Sequence, residues 1–102
     1  MSLVDVNERA ALLPEAWRSQ VLGRVGTAAV KVLRMDGREL EAEAHGTAEV
    51  LFVAEGSLEL LVDGEESTLR AGELCVVPAG AWHAVRAGSR GTLLIVEVPE
   101  EG

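Results

Sequence analysis

Cysteine is almost missing from this chain. Cys75 stands alone, so no disulfide can form within it, which suits a reducing compartment such as the cytoplasm. There is no tyrosine, and Trp17, Phe52 and Trp82 are the only aromatic residues. A core must therefore be built from Val, Leu, Ile and Ala. Basic residues are also scarce: nine Lys and Arg face 17 Asp and Glu, leaving a net charge of −8. Phosphate backbones are held by clustered Lys and Arg, and here those residues are scattered, which excludes nucleic acid as a partner. No apolar run approaches the ~20 residues of a membrane span. The first residues lack the basic start and apolar centre of a signal peptide. These absences lead us to expect a soluble cytoplasmic protein with no membrane partner.

What remains is globular. With 102 residues the chain makes one domain, and 48% apolar against 25% charged residues is the balance of a folded protein. The 11 glycines fall largely between short apolar runs. The expected organisation is a helical or irregular segment over 1–26, a barrel over 27–98 and a tail over 99–102. Asn7 is placed to cap a short helix over 8–13. Pro14 suits the first turn of a second helix over 14–22, closed by Gly23, with Leu13, Trp17 and Val21 sharing one face. That helix is expected to pack as a lid.

From Thr27 onward the period changes to two. Strands are expected over 27–34, 38–44, 50–54, 58–62, 67–70, 73–77, 82–87 and 92–98. Gly37, Gly56, Gly72 and Gly80 belong to the turns between them, and Asp63-Gly64 is a tight-hairpin signal. Many short strands with glycine turns mean an all-β sandwich or barrel. In the segment 38–45, alternation puts Glu39, Glu41, Glu43 and His45 on one face and Leu40, Ala42 and Ala44 on the other. The run Val50 to Ala54 is apolar without interruption, so it exposes one sheet face that a second copy would cover, and we expect a homodimer.

Both histidines lie near carboxylates in these strands. Glu43 and His45 are two apart, and Glu49 opens the next apolar run. His83 follows the turn at Pro78 and Gly80. Were the two stretches side by side, two imidazoles and two carboxylates would form a nitrogen-and-oxygen donor set suited to Mn, Fe, Ni or Zn. Two such carboxylates in one pocket repel unless a cation, a proton or a histidine relieves them. The competing reading leaves the acidic face in solvent and His83 bonded to backbone in the core.

These residues resemble the cupin family. Gly37, Glu43, His45, Glu49 and Gly56 stand at the spacings of the first cupin motif, with Glu43 in the place of its first histidine. Gly72, Pro78, Gly80 and His83 match the second motif, with Ala87 where that motif has Asn. The resemblance implies a jelly-roll barrel, a double-stranded β-helix of two antiparallel sheets closed over a pocket. It also implies a divalent transition metal held by His45, Glu49 and His83, with Glu43 in the fourth place as ligand or general base. The function so implied is a metal-dependent pocket for a small polar organic molecule, with or without catalysis. The alternatives are a metal-free small-ligand module and a structural cupin without a ligand.

Overall fold

The structure is a computed structural model that describes residues 1–99. Alternating apolar residues dictate eight antiparallel strands: β1 (Gln20–Val25), β2 (Ala28–Asp36), β3 (Leu40–Glu43), β4 (Glu49–Val62), β5 (Glu65–Arg70), β6 (Leu74–Val77), β7 (His83–Val85) and β8 (Arg90–Glu97). One short helix, α1 (Val6–Ala11), precedes them. The expected jelly-roll barrel is what these strands form, and β4 is its spine. Residues 49–52 of β4 lie between β6 and β8, and residues 60–62 lie between β5 and β7. β2 and β1 extend the first group beyond β8, and β3 extends the second beyond β7.

The bend between the two halves of β4 falls at Gly56. The sequence reading expects a chain reversal at 55–57, but the strand runs through. A register shift between Val53 and Glu55 and a φ of 81° at Gly56 tilt it from one sheet into the other. Gly56 faces Gly91 across the ladder, and a Cβ on Gly56 would sit 1.9 Å from the Arg90 carbonyl oxygen. Only paired glycines allow that approach. The core then fills the space between the sheets. Val53, Leu58 and Leu60 are wholly buried, with Leu33, Met35, Leu51, Leu69 and Leu93 around them. Each such side chain contributes about 1.5–3 kcal/mol by leaving water.

The hairpin at Asp63-Gly64 is present, with φ of 47° and 82° at the two positions, as a tight β4–β5 turn requires. The N-terminal segment departs from expectation. Asp5, not Asn7, caps the helix: its Oδ1 accepts from the Glu8 amide at 3.1 Å. The second helix over 14–22 does not form. Trp17 takes a left-handed φ of 67°, which no helix accommodates, and residues 20–25 pair instead with the open edge of β2. Ladder bonds to a waiting edge outweigh a weak helical preference. Gly23 therefore lies in a strand beside a register shift rather than at a helix end.

Candidate metal centre

His83 sits where β7 runs between two neighbouring strands. It pairs with Glu43 of β3 on one side and Val62 of β4 on the other. Its Nδ1 lies 3.1 Å from the Ala81 carbonyl oxygen, a group that can only accept. The proton is therefore on Nδ1, and Nε2 is presented to the pocket. Histidines that bind metals are oriented in this way, by donating their other ring N–H to a carbonyl or carboxylate. Nε2 meets Glu49 Oε1 at 2.9 Å, and both side chains are more than nine-tenths buried.

His45 arrives from the loop after β3. The Gly80 amide donates to the His45 carbonyl at 2.8 Å, which pins that loop to the turn before β7. The two imidazole centroids lie 5.3 Å apart, and His45 Nε2 is 3.3 Å from Glu43 Oε1. Among the described residues, Glu43, His45 and His83 each offer a ligand atom within 4.8 Å of the others. Glu49 touches His83 but stands outside that close group. Glu43 is exposed at the rim, its side chain 66% accessible, whereas Glu49 is at the floor.

The expected face of 38–45 is only half right. β3 carries a register shift between Leu40 and Glu43, so both residues border the pocket, beside Val85 and His83. Glu39 and Glu41 instead flank an outer groove with Ala42 and Arg86. The bulge adds one residue to the strand and reverses its phase. That is why strict alternation misassigns Leu40.

Sequence reasoning also missed Glu97, which falls in the strand expected over 92–98 but is given no part in the site. It is the last residue of β8, directly opposite Glu49, and it borders the same pocket. The signal was there: Leu93, Ile95 and Glu97 alternate onto one face. Lys31 of β2 pairs with Glu97 at 2.5 Å. Burial pushes the Glu49 carboxyl above its usual range, and its hydrogen bond with Glu97 adds to this. Burial also pushes Glu97 up, but its bonds to Lys31 and Glu49 outweigh that and hold it below the ordinary value. Cys75, half-buried in β6, has its thiol raised by burial. Of the tail expected over 99–102, residues 100–102 lie outside the described residues.

The pocket above these residues has a volume of about 230 Å³. Its walls are apolar, including Leu51, Leu60, Val85, Leu93 and Ile95, and Trp17 and Ser19 enter from the strap before β1. The donor set fits a divalent transition metal: two imidazoles with carboxylates suit Mn, Fe, Ni or Zn.

A barrel with two histidines and glutamates meeting inside defines a class, and comparison agrees with it. The cupin-domain family model matches residues 31–99, so the chain belongs to the cupin family. No curated protein shows significant similarity to it. A cupin-2 domain protein from Shewanella frigidimarina shares 28% identity over 95% of both chains, with a TM-score of 0.86. A protein from Neisseria meningitidis shares 25% identity over 96% of this chain and all of its own (100%), with a TM-score of 0.82. A putative mannose-6-phosphate isomerase from Ralstonia eutropha shares the fold at 20% identity, covering 87% of this chain and 89% of its own, with a TM-score of 0.72. Within the described residues, no helix is long and apolar enough to cross a membrane.

Proposed function

We propose that this cupin holds one divalent transition metal through His45, Glu49 and His83, with Glu43 as a fourth ligand or as a general base. On that centre the barrel takes up a small organic molecule. The observation that carries this reading is the His83 ring: its Nδ1 is tied to a carbonyl, and its Nε2 points into the same cluster as His45 and Glu43. When bound, the metal supplies Lewis acidity or oxygen activation. The chain's own part is to orient the ligand, exclude water with its apolar walls and keep Glu43 at the rim, where it can accept a proton from the ligand. A cytoplasmic homodimer joined through the outer sheet face completes the reading.

The alternative is a metal-free binding module. It is favoured by the 2.9 Å Glu49–His83 pair, which satisfies both groups without a cation. Untagged protein, dialysed separately against Mn, Fe, Ni and Zn and then against buffer, separates the two. One equivalent of one of these metals is expected, lost in His45→Ala and in His83→Ala. No retained metal, or equal retention in both variants, rejects the metal reading and leaves the metal-free module.

A further inference from the structure

Trp17 is the one non-glycine residue with a positive φ outside a hairpin turn among the described residues. Strain of that kind persists only where the surroundings enforce it, and it gathers at functional sites. Two bonds enforce it here. The Trp17 amide donates to the Arg34 carbonyl at 2.8 Å, and the indole Nε1 donates to Asp36 Oδ1 at 2.7 Å. Asp36 is itself gripped by Arg38, whose NH2 lies 2.7 Å from Oδ2. The polar edge of the indole is thus turned outward to an ion pair, while the residue borders the cavity and packs on the core.

Strand register puts this latch far from the candidate ligands. Asp36 and Arg34 pair with Arg90 and Thr92 at the start of β8, whereas Glu97 and Glu49 lie at its other end. The cavity therefore has an imidazole-and-carboxylate end and an apolar end. An apolar cavity of ~150 Å³ accepts a benzene ring. One of about 230 Å³ holds such a ring with a small polar head.

We propose that Trp17, latched to Asp36, is the specificity-determining wall of this cavity, and that its ligand is amphipathic. Its oxygen-donor head lies towards Glu43, His45 and His83, and its apolar, preferentially aromatic body lies against the indole. The head assignment rests on the metal reading above; the body assignment rests on Trp17 alone. Aromatic side chains bury large area and pair favourably with other rings.

Trp82 is the other tryptophan and is exposed, so a Trp82→Phe background leaves Trp17 as the sole indole. Zn-loaded protein in that background is titrated with benzohydroxamate and acetohydroxamate, which share a chelating head and differ in body. The expected result is about tenfold tighter binding of benzohydroxamate with a change in Trp17 emission. Trp17→Leu should erase the preference while leaving acetohydroxamate affinity intact. Equal affinities, unchanged emission on binding, or a preference that survives Trp17→Leu would overturn the assignment. The emission measurement uses native Trp17, so it decides even if Trp17→Leu does not fold. Should no metal bind, the metal reading fails by itself. Metal-free protein is then titrated with benzyl alcohol: saturable change in Trp17 emission supports the wall, and none overturns it.

Discussion

Gly56 and Gly64 share nearly the same backbone angle, with φ of 81° and 82°, yet they differ in surroundings. A Cβ on Gly64 meets nothing within 4 Å, whereas one on Gly56 meets a carbonyl oxygen at 1.9 Å. Gly64→Ala should therefore cost only the left-handed backbone penalty, about 1–2 kcal/mol. Gly56→Ala should cost more than that, since backbone must move to relieve the clash. Urea unfolding of both variants reads the difference, and equal losses would show that the corner is not sterically set. Asp36 yields a second expectation. The hydrogen bond from Arg38 holds its carboxyl well below the ordinary 3.8, aided by the Trp17 indole. An unfolded chain then binds more protons than the folded one in acid. The stabilisation from Asp36 is complete above about pH 3.8 and is lost as pH falls through the folded value. Asp36→Asn should flatten the acid limb of a melting-temperature profile between about pH 4 and 2; a limb as steep as the parent's would contradict the pairing.

At the scale of elements, β4 joins both sheets and lines the pocket. Leu60 is wholly buried and faces both the core and the cavity. Leu60→Ala should cost about 2–5 kcal/mol and leave a larger cavity. The loss is measured by the denaturant midpoint, and a change under ~1 kcal/mol would mean that the two sheets collapse onto each other around the missing side chain. The bulge in β3 acts in the other direction, on position rather than stability. By adding a residue it brings Glu43 beside His83 while keeping Leu40 against Val85. A regular strand could not have turned both to the same side.

For the whole molecule, the outer face of the first sheet is apolar. Val30, Val96, Val50 and Val76 form one cross-strand row, and Val32, Leu94, Phe52 and Leu74 form the next. α1 packs against β2, where Ala10 and Val32 are buried, but Leu74 and Val76 remain 58% and 57% exposed at the other edge. Exposed apolar area of this kind marks an association surface. The proposed homodimer predicts a dimer in sedimentation at micromolar concentration and a monomer for Val76→Glu, because a charge cannot be buried unpaired there. A monomeric parent protein would reject it.

Composition and local pattern determined much of this protein without a structure. Period-two alternation and glycine turns required an all-β chain, and Asp63-Gly64 required its hairpin, because both signals act within a few residues. The sequence offered Glu43, His45, Glu49 and His83 as candidates for one cluster, and the fold brings ligand atoms of Glu43, His45 and His83 within 4.8 Å of one another. Tertiary structure alone decided the rest. The helix expected around Trp17 lost to the open edge of β2, the turn expected at Gly56 became a corner because Gly91 lies opposite, and Glu97 reached the pocket only because β8 pairs with β4. In each case the deciding partner lies far away in the chain, and no local pattern carries the energy of a contact that forms only when distant strands meet.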